Sequence, residues 1–206
     1  MKQKKESVSK ESKETKNDNH ENGFSQNISE LKNQVCPICH EKTLTLTESE
    51  TEIPYFGLTY LFSMNCSNCK FHKSDVESAE QKPPVRYSID VSGENDLKIR
   101  VVKSSNATLK IPRIVEITPG PASNGYVTNI EGVIKRVKHM FEAQKDIEED
   151  NDKKKEYYKL IKKLNRVLWG SESIKIIIED PSGNSAIISE KAKVEKLKIH
   201  AKAQSE

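Results

Sequence analysis

Alternating apolar and polar positions predict short β-strands along most of the chain. Successive side chains of a strand point to opposite faces of its sheet, so a half-buried strand requires this alternation. Serine, asparagine, glycine and proline separate the segments, as in an antiparallel sandwich or barrel. The segments lie at residues 43–47, 58–64, 86–91, 97–102, 107–111, 114–117, 173–179 and 185–188.

The pattern changes to a helical period between residues 128 and 168. Thr128 and Glu131 have the spacing of a capping box, which favours a helix start here. The apolar side chains that then share one helical face are Ile130, Val133, Ile134, Val137 and Phe141. A second helix from about residue 153 to 168 has a stripe of Tyr157, Ile161, Leu164 and Leu168. The two helices predict a helical hairpin inserted into a β domain.

Composition divides the chain into four parts. Residues 1–34 are rich in Lys, Glu, Ser and Asn, and their few apolar side chains cannot offset the entropy lost on ordering. We therefore predict a disordered charged tail at 1–34 and a second charged tail at 194–206. Residues 35–77 contain the cysteines, and residues 78–193 form the β domain, with the helical hairpin at about 128–168. The polar, stiff Lys82-Pro83-Pro84 segment marks the boundary between them.

Two C-x-x-C pairs contain every cysteine of the chain: Cys36, Cys39, Cys66 and Cys69. Two such knuckles supply the four thiolates of a closed tetrahedral shell, so the sequence predicts one structural Zn²⁺ ion. A redox motif or two disulfides are the alternatives, but a redox motif needs only one pair. Each knuckle adjoins a predicted strand, which is the layout of a four-cysteine zinc ribbon. His40 and His72 flank the knuckles, but we do not expect them to bind the metal, because four cysteines are already present.

Overall charge and hydropathy exclude several classes of protein. The chain has 34 basic and 31 acidic residues, a net charge of +3 that is too balanced to imply a nucleic-acid partner by itself. No apolar run approaches the ~20 residues of a membrane span, and no apolar stretch follows the N-terminal lysines as in a secretory signal. A reduced four-cysteine site fits a reducing compartment. We therefore expect a cytoplasmic protein with no membrane partner.

Candidate catalytic residues are few, and we expect no enzymatic activity. His139 is the only histidine between residues 77 and 193, so a site of two histidines and one carboxylate cannot be assembled there. Asp180, Asn184 and Ser185 could suggest chemistry. Their Pro-Ser-Gly-Asn context between two apolar strands is better explained as turn chemistry.

A candidate partner-binding site lies between the two predicted strands of the ribbon, where a hairpin tip is expected. It consists of Ile53, Pro54, Tyr55 and Phe56. Proline stiffens the loop, and exposed tyrosine and phenylalanine are typical anchors of protein interfaces. Packing of Tyr55 and Phe56 onto the ribbon or the neighbouring domain is the alternative.

A zinc-ribbon nucleic-acid-binding protein linked to translation or transcription is the second functional hypothesis, since zinc ribbons do bind nucleic acids. The second helix is basic, through Lys153, Lys154, Lys155, Lys159, Lys162, Lys163 and Arg166. The first helix ends in acidic residues beside it, and the interleaved aromatic residues are limited to Tyr157 and Tyr158. These observations favour a solvated face, so nucleic acid is possible as a partner but not favoured.

Six motifs, taken together in this order, resemble those of the ZPR-type zinc-finger proteins. They are Cys36-Pro37-x-Cys39, Ile53-Pro54-Tyr55-Phe56, Ser63-Met64-x-Cys66-x-x-Cys69, Ile111-Pro112, Thr128-Asn129-Ile130-Glu131-Gly132 and Asp180-Pro181-Ser182-Gly183-Asn184-Ser185. The resemblance implies a zinc ribbon similar to that of translation initiation factor two. A double-stranded β-helix-like domain, interrupted by a helical hairpin, then follows. The fold class expected is thus mainly β with an α insertion.

The same resemblance implies a function in protein binding. Eukaryotic members carry two such modules and bind translation elongation factor one-alpha, for which they act as a folding chaperone; binding to receptor tyrosine kinases is also attributed to them. This chain has one module, as archaeal members do. Lys70 and Arg113 depart from the family pattern, which usually has glycine at the first position and often an acidic residue at the second.

Overall fold

The computed structural model describes residues 27–198 of the chain. Within this range the strands are β1 (Asn27–Gln34), β2 (Leu44–Ile53), β3 (Gly57–Cys66), β4 (His72–Ser78), β5 (Val85–Val91), β6 (Arg100–Lys103), β7 (Thr108–Ile111), β8 (Val115–Ile117), β9 (Tyr126–Asn129), β10 (Ile174–Asp180), β11 (Ala186–Ile188) and β12 (Lys193–Lys196). The helices are α1 (Glu94–Leu97), α2 (Ile130–Ile147) and α3 (Asn151–Leu168).

The ribbon is a four-stranded antiparallel sheet in the order β1-β2-β3-β4. Strands β2 and β3 pair without interruption from Leu44 opposite Cys66 to Ile53 opposite Gly57. Each knuckle therefore lies at the same end of this hairpin, and the turn after Ile53 lies at the other end.

The predicted N-terminal tail was wrong for residues 27–34, which form the edge strand β1 of the ribbon. Its apolar side chains Ile28 and Leu31 are each 59% exposed. Backbone hydrogen bonds to β2, rather than burial, therefore hold this strand, and a strand without a buried face has no hydrophobic pattern to detect. The rest of the predicted tail, residues 1–26, lies outside the described residues.

The β domain contains two antiparallel sheets. One has five strands in the order β12-β5-β10-β7-β8, and the other has three in the order β11-β6-β9. The predicted C-terminal tail was wrong for residues 194–196, because Lys193–Lys196 pairs with β5. All four side chains of β12 are exposed, so this strand too lacks an apolar signal. Residues 199–206 lie outside the described part of the chain.

The helical hairpin is confirmed, with α2 and α3 between strands β9 and β10. The buried side of α2 is the predicted stripe of Ile130, Val133, Ile134, Val137 and Phe141. Asn129, rather than Thr128, caps this helix, since its Oδ1 accepts a hydrogen bond from the Gly132 N–H at 2.8 Å. No helix within residues 27–198 is long and apolar enough to cross a membrane.

The main core lies between the two sheets and the helical hairpin. Val101 from β6, Ile134 from α2, Leu164 from α3 and Ile176 from β10 are all fully buried in this one cluster. Burying such a side chain contributes about 1.5–3 kcal/mol, so the hairpin is an integral part of the β domain. The predicted fold class, mainly β with an N-terminal ribbon and an inserted helical hairpin, is confirmed.

Hydrogen bonds from strand β4 attach the ribbon to the β domain. The Ser74 N–H donates to Asn124 Oδ1 at 2.9 Å, and Asp75 Oδ1 accepts from the Ser105 N–H at 2.9 Å. Gly125 comes so close that a Cβ on it would lie 2.6 Å from Asp75 Oδ1. The two domains therefore meet across a tight polar seam, which an ordinary side chain at position 125 would disrupt.

A shared apolar cluster adds to this attachment. Its buried members come from the ribbon and from strands of the β domain: Ile53, Phe56, Val76, Val102 and Ala186. The ribbon therefore does not rely on its metal-binding end alone, and part of its core is continuous with the neighbouring domain.

Candidate metal centre

The four cysteine sulfurs converge at the knuckle end of the ribbon. All four Sγ atoms lie within 4.8 Å of one another. The Sγ atoms of Cys36 and Cys69 are 3.7 Å apart, and so are those of Cys39 and Cys66. A regular tetrahedron with metal–sulfur bonds of ~2.3 Å has sulfur–sulfur edges of about 3.8 Å, so the arrangement fits one four-coordinate ion.

The same distances exclude two disulfides between these cysteines. A disulfide joins its sulfurs at about 2.0 Å, and all four cysteines here are free thiols. The hydroxyl of Thr43, 3.2 Å from Cys66 Sγ, is the main cause that lowers the pKa of Cys66 to about 6. The Phe71 amide favours the thiolate of Cys69, but burial and the neighbouring thiols together raise its pKa to about 12. Four thiolates this close repel one another, and a bound cation would offset that repulsion.

Each knuckle turns back on itself through a residue in the left-handed region. His40 follows the first knuckle with φ of 60°, and Lys70 follows the second with φ of 62°. The Cys36 N–H donates to the Glu41 carbonyl at 2.9 Å, and the Cys66 N–H donates to that of Phe71 at 2.9 Å. Lys70, which replaces the glycine usual at this position of the family pattern, therefore adopts a strained backbone conformation that costs about 1 kcal/mol of stability.

The two histidines near the knuckles do not join the four sulfurs. His40 is exposed, and His72 Nδ1 lies 2.7 Å from Asn65 Oδ1, a hydrogen bond on the outside of the sheet. The metal-binding group found among the described residues consists of the four cysteines. Metal binding by this group therefore needs no fifth side chain.

The hairpin tip separates the predicted partner-binding residues into two groups. Ile53 and Phe56 are 3% and 8% exposed and pack into the cluster shared with the β domain, so their assignment as contact residues was wrong. Pro54 is exposed, and Tyr55 is 99% exposed with φ of 64°. Tyr55 and Phe56 both lie in the turn between β2 and β3, where the left-handed backbone of Tyr55 leaves its ring in solvent while the Phe56 ring enters the shared cluster.

Lys82 is a structural part of this tip that the sequence did not indicate. Its Nζ donates to the Phe56 carbonyl at 2.7 Å and lies 3.5 Å from the centre of the Phe56 ring. Burial lowers the pKa of Lys82. The sequence around Lys82 predicts only a polar linker, and no local signal distinguishes this residue from the other lysines of the chain.

The Asp180 to Ser185 motif forms a structural junction. Fully buried Asp180 accepts hydrogen bonds from the hydroxyls of Ser104 at 2.8 Å, Ser182 at 2.6 Å and Ser185 at 2.5 Å. Asn184 Oδ1 accepts the Ser78 N–H of the ribbon at 3.2 Å. Every named polar side chain of the motif therefore ties loops together, in keeping with the turn interpretation.

A four-cysteine ribbon fixed to a two-sheet β domain that carries a helical hairpin defines a metal-binding zinc-finger protein with an attached jelly-roll domain. Residues 27–84 match the ZPR1 zinc-finger domain, and residues 95–205 match the ZPR1 jelly-roll domain. The chain belongs to the ZPR1 zinc-finger family. The resemblance inferred from the six motifs is thereby confirmed.

The relatives fall into two groups by length. A ZPR1-like protein of Methanocaldococcus jannaschii is 39% identical over 157 residues, which cover 75% of this chain and 79% of that protein. The zinc finger protein ZPR1 of Bos taurus is 29% identical over 157 residues, which cover 74% of this chain and 34% of that protein. The zinc finger chaperone zpr1 of Schizosaccharomyces pombe is 33% identical over 143 residues, which cover 66% of this chain and 30% of that protein. The matched part of the chain thus spans about a third of the length of these eukaryotic relatives.

Proposed function

We propose that this protein is a zinc-containing binding factor that assists the folding or assembly of translation elongation factor one-alpha, without catalysing a reaction of its own. Two kinds of comparison support this choice. The family resemblance implies the partner, and the fission yeast relative is named as a chaperone. A cytoplasmic setting is part of the proposal, because reducing conditions keep the four cysteines available as ligands.

The ion of this proposal is one structural Zn²⁺ per chain. Four thiolates in a tetrahedral arrangement are a typical structural zinc shell, with no position left for a water nucleophile. Cys36, Cys39, Cys66 and Cys69 would hold the ion, and it would stabilise a ribbon whose own apolar core there is limited to a few side chains around Leu44.

The exposure of Tyr55 is the observation that carries the proposed binding role. Its ring extends from a tip that Ile53 and Phe56 anchor on either side, so little backbone freedom of the tip remains to be lost on binding. A cavity of about 470 Å³ lies next to it, with Tyr87, Ile187 and Ile188 in its wall. A rigidly presented aromatic beside an open cavity has the character of an interface anchor.

Binding of the purified chain to purified elongation factor tests this role. Truncation of an interface tyrosine typically costs 2 kcal/mol or more, so Tyr55→Ala should weaken the affinity about 30-fold or more by calorimetry. Its melting temperature and zinc content should match the wild type, because the removed ring is almost fully exposed. The factor should also refold with a higher yield when the wild-type protein is present.

Ile147→Ala is a suitable control, since Ile147 is an exposed apolar side chain at the end of α2, at 75% exposure, and does not line the cavity beside Tyr55. It should bind the elongation factor like the wild type. Normal binding by Tyr55→Ala would remove the hairpin tip from the interface. A wild-type protein that neither binds the factor nor improves its refolding would refute the proposed function as a whole.

A further inference from the structure

The outward side of helix α3 presents two aromatic rings and two lysines together. Tyr158 is 59% exposed, and Trp169, which caps the helix, is 72% exposed. Lys159 and Lys162 are also exposed. Spacings of four and seven residues from Tyr158 through Lys162 to Trp169 place these side chains on one side of the helix. We call these four residues the α3 outer face; its two rings are about 16 Å apart along the axis.

The positive charges of this face are not neutralised by nearby carboxylates. Within residues 27–198, Lys159 and Lys162 have no ion-pair partner, whereas Lys155 pairs with Asp152 at 2.9 Å. Glu172 is engaged by Arg166, with its carboxylate 2.6 Å from Arg166 Nε. Lys145 Nζ lies 5.0 Å from the Tyr158 ring centre, but it pairs with Asp146 at 3.2 Å and is not counted among the unpaired charges of the face.

The combination of side chains favours a nucleic acid over a protein as the occupant. Lysine is depleted at the cores of protein interfaces, where two unpaired lysines would be desolvated at a cost. Lysines that contact phosphates, interleaved with aromatic rings that stack on bases, are what single-strand binding surfaces use. Stacking requires unpaired bases, and these are common in the loops and bulges of RNA.

We propose that the α3 outer face binds single-stranded RNA. Lys159 and Lys162 contact backbone phosphates, while Trp169 and Tyr158 stack on bases at either end of the lysine pair. This role is separate from the proposed binding of the elongation factor, because it uses neither the ribbon nor Tyr55.

Trp169 is the only tryptophan of the chain, so its fluorescence reports on this face directly. Titration of the full-length protein with an oligouridine of about 12 nucleotides should quench the tryptophan emission to saturation, more tightly at 50 mM than at 200 mM salt. The Trp169→Ala variant should bind the oligouridine about tenfold more weakly, as expected for one lost stacking contact, and the fluorescence anisotropy of a labelled oligouridine measures this affinity.

The double variant Lys159→Gln, Lys162→Gln separates phosphate contacts from general charge. It should reduce the slope of log affinity against log salt by about 1.4, which corresponds to two phosphate contacts on a single strand. Lys193→Gln with Lys196→Gln removes the same charge from exposed positions of β12 and should leave the slope unchanged.

Three results would overturn the assignment. The first is the absence of quenching at 50 mM salt, and the second is an equal loss of affinity in the β12 control. The third is equally tight binding of a glutamate-rich peptide or of duplex DNA, because either would show that stacking on unpaired bases is not what the face recognises.

Discussion

The hairpin tip of the ribbon places two adjacent aromatic side chains in opposite environments, with Tyr55 99% exposed and Phe56 8% exposed. Truncating a buried phenylalanine to alanine costs about 3–5 kcal/mol, from the lost transfer free energy and the cavity left behind. Phe56→Ala also removes the ring below the Lys82 ammonium. Tyr55→Ala removes no buried contact and should stay within about 0.5 kcal/mol of the wild type.

Thermal unfolding followed by circular dichroism measures this difference. For a chain of this size a loss of 3–5 kcal/mol lowers the melting temperature by roughly 6–20 °C, whereas Tyr55→Ala should melt within about 2 °C of the wild type. Metal content should be unchanged in both variants, because the tip and the knuckles are at opposite ends of β2 and β3. A Phe56→Ala protein as stable as Tyr55→Ala would refute the inference that this residue fastens the ribbon to the β domain.

Three further predictions concern the metal, the backbone and pH. Cys36→Ser combined with Cys66→Ser should abolish metal binding, and metal analysis that still returned about one zinc per chain would contradict the proposed site. Lys70→Gly should raise the free energy of unfolding in urea by up to ~1 kcal/mol, because glycine adopts a φ of 62° without strain. Lys70→Ala keeps a Cβ at that φ and should not raise it. Equal free energies of unfolding for the two variants would count against backbone strain at this position. The hydrogen bond from Lys191 Nζ to Asp96, at 2.6 Å, together with Ser92, lowers the pKa of Asp96. The stabilising contribution of Asp96 is therefore complete above the ordinary aspartate pKa of about 3.9, and it is lost as the pH falls through the lower pKa of the folded state. The free energies of unfolding of the wild type and of Asp96→Asn should converge at that low pH. A constant difference between them from pH 7 to 2 would contradict this.

The features that could be predicted from the sequence have strong local signals. Paired C-x-x-C spacing identifies the four sulfurs that converge, because each knuckle needs only a few residues of chain to orient its two thiols. The apolar stripe from Ile130 to Phe141 gives the buried side of α2, since a helix on a core exposes its period directly in the sequence.

The features that could not be predicted depend on distant contacts. Strands β1 and β12 form by backbone pairing at sheet edges, with side chains that remain exposed, so their sequences resemble those of charged tails. Likewise, nothing in the tip motif distinguishes Tyr55 from Phe56, because the burial of Phe56 is decided by Val102 and Ala186, far along the chain. Local propensity cannot predict whether a side chain is buried where distant tertiary contacts alone determine its burial.

The position of the four metal-binding thiols relative to the tip explains how one ribbon can serve two purposes. Strand β2 has ten residues, so the knuckles and the tip are separated by about 30 Å. At one end the four thiols can fix the sheet through an ion, and at the other end Phe56 fixes it through the cluster shared with the β domain. A sheet fastened at both ends can present Tyr55 in a defined direction without any contact between the metal and a partner. A bound metal would therefore support the proposed interface by ordering the ribbon rather than by taking part in recognition.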